Sequence, residues 1–133
     1  MRRAEIKRDT FETKITMSID IDGTGENSIS TGIGFFDHML THISKHGFMD
    51  LDVNAKGDIE VDCHHTIEDV GIVLGKCIAK ALGDKKGIKR YGFFILPMDE
   101  ALILCSMDIS GRAYLNFDVT FPTQKCGDMD MEM

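Results

Sequence analysis

An α+β fold, built as tandem ββαβα repeats with the sheet packed against helices, is what three features of the sequence predict. Ile15, Met17, Ile19 and Ile21 alternate with Thr16, Ser18, Asp20 and Asp22, the period of a half-buried strand. Ile67, Val70, Leu74, Cys77, Ile78 and Ala81 recur at the spacing that gathers apolar residues on one side of a helix. Segments of the two kinds interleave along the chain, so they must share a core.

Each element carries its own signal. Asp22-Gly23 and Thr24-Gly25 read as a turn after the first alternating strand, and residues 4 to 10 pair with that strand as the first arm of a hairpin. From Phe35 to Lys45 the spacing turns helical, with Phe36, Met39, Leu40 and Ile43 on one side. Met49, Leu51, Val53 and Ala55 restore the period of two, which gives a strand over 48–55. A second helix follows over about 65–82 and stops at Gly83, because glycine accepts the backbone conformation that ends helices. Two further strands are expected over 101–109 and 113–121, the latter from the alternation of Ala113, Leu115, Phe117, Val119 and Phe121. The expected order is β-β-α-β-α-β-β.

That order contains a repeat. Gly34-Phe35-Phe36-Asp37-His38-Met39-Leu40 opens the first helix. Gly127-Asp128-Met129-Asp130-Met131-Glu132-Met133 also follows a strand pair, with a matching glycine and an apolar last position. The sequence reads as a single domain, 1–133, with one repeat over about 4–88 and an incomplete second over about 91–133. The second is truncated after its strand pair, as its first helix begins. A layer left in that state is expected to expose a contiguous apolar patch.

Composition narrows the function. With 133 residues, 43% of them hydrophobic, the chain is long enough to bury a core. A net charge of −7 and a pI near 5.1 argue against nucleic-acid or anionic-membrane partners, whose binders carry a basic face. An anionic small substrate remains open, since a few local cations dominate one pocket. No apolar run is long enough to cross a bilayer, and Met1-Arg2-Arg3-Ala4-Glu5 does not lead into a signal peptide's apolar core. Cys63, Cys77, Cys105 and Cys126 form no CxxC pair, so reduced thiols in a soluble, cytoplasmic protein are expected.

The chemistry concentrates in His64-His65-Thr66-Ile67-Glu68. In a helical first turn Glu68 lies one turn from both histidines, while the two rings point about 100° apart. One metal can then take either histidine together with Glu68 as the other reaches toward a second ion, a donor set suited to a first-row transition metal. The plain alternative is a solvated helix start, with Glu68 complementing the dipole. His38, His42 and His46 recur every four residues and share one face of the first helix, either as a ligand row or as a polar side. Asp37 either orients the neighbouring imidazole or caps the helix. Glu12 lies between strands, where a lone glutamate is usually solvated. Arg90 and Arg112 sit near glycines at element ends, where an arginine fork suits a phosphate but more often faces water. Asp99-Glu100, after Pro97, has the look of a hairpin turn.

Taken in order, these segments resemble the imidazoleglycerol-phosphate dehydratase family over essentially all of residues 4 to 133. The resemblance is carried by Arg8-x-Thr10-x-Glu12-Thr13, by Thr31-Gly32-Ile33-Gly34-Phe35-Phe36-Asp37-His38 with His46-Gly47, and by Gly57-Asp58 through Asp62-x-His64-His65-Thr66-x-Glu68-Asp69. Lys86-Gly87-Ile88-x-Arg90, Pro97-x-Asp99-Glu100-Ala101, Ser110-Gly111-Arg112 and Pro122-Thr123 continue the run.

That resemblance implies a carbon–oxygen lyase of histidine biosynthesis, which dehydrates imidazole glycerol phosphate to imidazole acetol phosphate. It implies a pair of manganese ions (Mn2+) per site, with ligands from an HHxxE motif in each half of a full-length chain. Residue by residue, His38, His64, His65 and Glu68 become metal ligands. Glu12 and His46 contact the substrate or move a proton, Glu68 joins them as a catalytic carboxylate, and Arg90 and Arg112 hold the phosphate. A homo-oligomeric shell of roughly 24 subunits with closed symmetry is implied too, its sites lying between neighbours. Two positions depart from the family. Cys63 replaces a common aspartate, and His42 replaces the more usual glutamine and is not expected to be a ligand. This chain also lacks the second HHxxE helix. Two alternatives stand beside the dehydratase: an inactive metal-binding or assembly fragment of it, and a metal-dependent hydrolase using the same ligands to activate water.

Overall fold

The computed structural model describes residues 1–133, which divide into two units: Met1–Gly83 with Phe121–Met133, and Asp84–Thr120. In the first unit β1 (Arg3–Asp9) and β2 (Thr13–Asp20) form a hairpin. The short β3 (Asn27–Ser30) leads through α1 (Gly34–Gly47) to β4 (Asp50–Gly57), and α2 (His64–Leu82) follows. The sheet runs β1-β2-β4-β3, antiparallel except for the β3–β4 pair. That pair is parallel because α1 makes the crossover that returns the chain to the same end of the sheet.

Register decides what is buried. Ile15 pairs with Ala55, Met17 with Val53 and Ile19 with Leu51, so alternate residues of β2 and β4 share a face. Leu40 of α1 and Val70, Val73 and Cys77 of α2 cover it. Met17, Val70, Val73 and Cys77 have no exposed surface, and each such apolar side chain contributes roughly 1.5–3 kcal/mol on burial. Burial also pushes the Cys77 thiol pKa up, which leaves it an inert part of the core.

The ends of the elements are tied by local bonds. Phe48 closes α1 in the left-handed region (φ 52°), its N–H donating to the Ser44 carbonyl, while Ser44 Oγ donates to the Met49 carbonyl at 2.8 Å. Gly83 ends α2 where the sequence places the stop, with φ 56° and its N–H on the Ala79 carbonyl. Between β2 and β3, the N–H groups of Thr24, Gly25 and Glu26 all donate to Asp50 Oδ1, at 2.8, 3.1 and 3.0 Å. Those bonds hold the Asp50 carboxyl below its ordinary pKa.

In the second unit β5 (Tyr91–Met98) and β6 (Ala101–Asp108) form an antiparallel hairpin turned at Asp99-Glu100, as the acidic pair suggested. Both strands are exposed throughout. Phe93, Phe94, Leu102 and Leu104 each keep about two thirds or more of their surface in solvent, which is the apolar patch the pattern anticipates.

Three expectations need correction. No strand forms over 113–121, because alternation records which side a strand would bury and does not supply a partner. Residues from Gly127 onward do not begin a helix. A two-residue hairpin, β7 (Lys125–Cys126) with β8 (Met129–Asp130), forms there around Gly127 at φ 60°, since so short a stretch cannot repay helix nucleation. β3 and β5 appear where the alternation gave no strand.

Candidate metal centre

His64 and His65 are the first two residues of α2, and the helix separates them as its geometry requires. Their ring centroids are 5.8 Å apart and their planes 69° out of parallel. His64 Nε2 lies 3.1 Å from Glu68 Oε2, one turn along, so the structure chooses His64 as the partner of Glu68. His65 turns away toward Asp58, its Nδ1 lying 2.9 and 3.2 Å from the two carboxylate oxygens. A neutral His65 therefore carries its proton on Nδ1 and presents the Nε2 lone pair outward, the arrangement in which a carboxylate orients a metal-binding imidazole. The bond to Asp58 raises the His65 pKa, and the charges of Glu12 and Asp62 add to it.

The start of α2 is held to the end of the sheet by a second set of contacts. Arg8 of β1 pairs with Asp69 at 2.7 Å, and Thr13 of β2 donates its hydroxyl to the other oxygen of the same carboxylate. Arg8 first and Thr13 after it keep the Asp69 carboxyl below its ordinary pKa. Beside them Gly57, the last residue of β4, meets Thr66 so closely that a Cβ on it would lie 1.9 Å from Thr66 Oγ1. Glu12 is exposed in the β1–β2 turn, yet its charge reaches both Arg8 and His65. No hydrogen bond or ion pair ties its carboxylate to either residue, in keeping with a solvated glutamate at the edge of this corner.

The α1 histidines form a row of their own on the exposed side of that helix. His38 Nε2 lies 2.9 Å from His42 Nε2, and His46 Nε2 lies 3.1 Å from His42 Nδ1. Asp37 serves neither of its expected purposes directly. It accepts from Thr31 N–H at 2.9 Å and Thr31 Oγ at 2.6 Å, which fixes the loop entering α1, whose N-cap Ile33 has no side-chain bond.

The donor chemistry at the start of α2 fits a first-row ion. It offers imidazole nitrogens, one ring held by a carboxylate at Nδ1 and the other facing a second carboxylate. No three His, Cys, Asp or Glu side chains converge on one point, however.

Comparison with known proteins gives this corner its context. The sequence model described as imidazoleglycerol-phosphate dehydratase matches residues 31–133. Among curated relatives, the imidazoleglycerol-phosphate dehydratase of Acetivibrio thermocellus is 59% identical over 132 residues, covering 99% of this chain and 68% of the relative. That of Caldicellulosiruptor bescii is 62% identical with the same coverage of both. The chain belongs to the imidazoleglycerol-phosphate dehydratase family. The crystal structure of the Staphylococcus aureus dehydratase superposes with a TM-score of 0.86 at 38% identity, covering 98% of this chain and 71% of that one. The Pyrococcus furiosus enzyme, solved in complex with (S)-C348, gives a TM-score of 0.74 at 36% identity over 92% of this chain and 64% of its own. The chain thus spans about two thirds of the length of these dehydratases.

The two arginines expected to hold a phosphate lie in the second unit. Arg90 makes a two-pronged pair with Asp108, at 2.6 and 3.0 Å, and its guanidinium lies 4.9 Å from the centre of the Tyr91 ring. The Asp108 carboxyl is lowered mainly by that bond, and the charge of Arg112 lowers it further without a direct contact. Sequence reasoning assigned no purpose to Arg8, Thr13, Asp58 or Asp69. Asp58 had a local signal, as an acidic residue shortly before a histidine pair. The Thr13–Asp69 bond spans 56 residues of sequence and had none.

Proposed function

We propose that this chain supplies part of a paired-manganese centre for the dehydration of imidazole glycerol phosphate to imidazole acetol phosphate, the histidine-biosynthetic reaction its family is named for. The observation that carries the reading is the contact of His65 Nδ1 with the Asp58 carboxylate. Asp58 holds Nδ1 and leaves Nε2 available, while His64 and Glu68 face one another one turn along. A solvated helix start has no need of a carboxylate brought from the end of β4 to orient one imidazole. Manganese, when bound, supplies positive charge that stabilises the substrate's imidazole ring as an anion.

The chain's own residues account for the rest of the chemistry. The proton lost in dehydration leaves the carbon beside the ring, and a carboxylate must take it; Glu12 and Glu68 both belong to this corner. His46 contacts the substrate or takes part in proton transfer, and the departing hydroxyl leaves with general-acid help. Arg90 would exchange Asp108 for the substrate phosphate, a ligand of matching geometry with more charge, and Arg112 would add a second cation to hold it. His38 adds an imidazole donor, and the remaining ligands come from the second HHxxE helix of the family and from neighbouring subunits in a homo-oligomeric shell.

A second reading, a metal-binding or assembly fragment that does not turn over, is favoured by one observation: fewer than three donors converge within this chain. A manganese titration followed by light scattering, and then by turnover of imidazole glycerol phosphate, separates the two. Dehydration by a manganese-loaded assembly establishes the first reading. Metal uptake without dehydration selects the second, and no specific uptake refutes both.

A further inference from the structure

The β5–β6 hairpin repeats the plan of the β1–β2 hairpin, with one difference. Glu100 precedes the first residue of β6 as Glu12 precedes the first residue of β2. Aligned on those glutamates, Ile103, Cys105 and Met107 stand where Ile15, Met17 and Ile19 lie buried beneath the helices. On the other face of β1–β2 the register pairs Glu5 with Ser18, Lys7 with Thr16 and Asp9 with Lys14, the polar surface of a sheet that meets water. The matching pairs of β5–β6 are Phe93 with Ser106, Ile95 with Leu104 and Pro97 with Leu102. We propose that this apolar face, centred on Ile95 and Leu104, packs against the same face of a second copy of this chain.

Three features support it. First, a helix layer of the same plan cannot be the cover. In the first unit α1 and α2 both pack on the Met17 side of the sheet, and the aligned side of the hairpin is that of Cys105. Helices so placed leave the Ile95–Leu104 face bare. Second, the area suits an interface. Phe93, Ile95, Leu102 and Leu104 each keep more than half of their surface in solvent. With Tyr91 beside them they expose on the order of 500 Å2 of mainly apolar surface, more than half of the roughly 800 Å2 that each partner gives to a standard interface. Third, the charge is right for self-pairing. The chain has a net charge of −7, yet the strand residues of this face include no charge except Asp108 at one end, and Arg90 is paired with it. Two copies therefore meet there without repulsion, while a charged foreign partner finds nothing to select. A twofold axis asks only that the face match itself.

The test reads molar mass by light scattering after size exclusion, with Ile103→Glu in place so that the opposite face of the hairpin cannot associate. Ile103→Glu by itself should remain a dimer or larger. Adding Leu104→Glu, or alternatively Leu104→Lys, sets like charges against one another in the middle of the contact, and each should lower the mass twofold or more. Mixing these two proteins in equal amounts sets Glu against Lys and should restore the mass of Ile103→Glu. Because the Ile103 and Leu104 side chains are exposed, far-UV circular dichroism should match that of the parent, and recovery on mixing shows independently that both variants are folded. A monomeric Ile103→Glu protein, Leu104 variants that keep its mass, or a mixture that stays small overturns the proposal. The contact stands on the hairpin alone and goes beyond the manganese reading, which metal uptake and turnover decide whatever the outcome here.

Discussion

The contact between Gly57 and Thr66 is where a single methyl group should do most damage to the candidate centre. A Cβ on Gly57 would meet Thr66 Oγ1 at 1.9 Å, Thr66 Cβ at 3.1 Å and Thr13 Cγ2 at 3.5 Å. Thr66 is fully buried and has no free side to turn to, and its Oγ1 has no hydrogen-bond partner to lose. Gly57→Ala must therefore push α2 away from the end of β4. Overpacking of this kind costs about 1–3 kcal/mol, against which the smaller entropy of an unfolded alanine returns about 0.4–1 kcal/mol. The expected net loss is about 1–2 kcal/mol. Thr66→Ala removes the clashing oxygen. By itself it should be close to neutral, since the loss of a buried methyl, about 0.8 kcal/mol, is offset by removing an unsatisfied hydroxyl. The double variant should then recover most of the loss, giving a coupling of about 1–2 kcal/mol between neighbours. Urea unfolding of the four proteins measures it. A Gly57→Ala variant as stable as the parent, or a double variant no better than Gly57→Ala, refutes the reasoning. Since Asp58 and His65 adjoin the two residues, manganese affinity should fall in Gly57→Ala and return in the double variant.

Other outcomes follow from single contacts. Asp58→Asn removes the acceptor that fixes His65, so manganese affinity by calorimetry should drop about 10–100-fold while urea unfolding changes little. Leu40→Ala opens the core between α1 and the sheet, where Leu40 is 2% exposed, and should cost about 2–5 kcal/mol in the same unfolding assay. Phe48→Gly relieves a left-handed residue that is 68% exposed and so loses little burial; a gain of about 0.5–1 kcal/mol is expected. The folded pKa of Asp50 lies below its ordinary value of 3.8. Its contribution is therefore fully present above that value and is lost as pH falls through the depressed one. Hydrogen-exchange protection of the Thr24, Gly25 and Glu26 amides should weaken over that acidic interval, and Asp50→Asn should abolish the dependence.

Legibility tracked how many constraints acted on each segment. β2 and β4 were readable because one face of each is buried, which forces strict alternation onto Ile15, Met17 and Ile19 and onto Leu51, Val53 and Ala55. β3, Asn-Ser-Ile-Ser, buries none of its residues fully and owes its existence to parallel pairing with β4, a partner more than twenty residues away. β5 and β6 are exposed on both faces, so β5 showed no period, and only the Pro97–Glu100 turn chemistry betrayed a hairpin. Over 113–121 the period was present and the strand was not. A period of two is thus neither necessary nor sufficient; it reports burial on one side.

The same logic applies to the site. His64, His65 and Glu68 are legible because their relation is set within one helical turn, so sequence spacing is nearly equivalent to geometry. What spacing left open was which histidine faces Glu68, and Asp58 settles it by drawing His65 to the other side. Arg8, Thr13 and Asp69 belong to the same corner but meet only because the β1–β2 hairpin and α2 share a core. Their pairing is a consequence of the sheet register and could not be read before it. The position of the histidine pair therefore depends on apolar packing well away from it. A core variant such as Leu40→Ala tests α1 and its histidines, whereas Gly57→Ala tests the start of α2. If the two histidine groups serve one centre, manganese binding should respond to both variants; if α1 contributes no donor, only Gly57→Ala should weaken it.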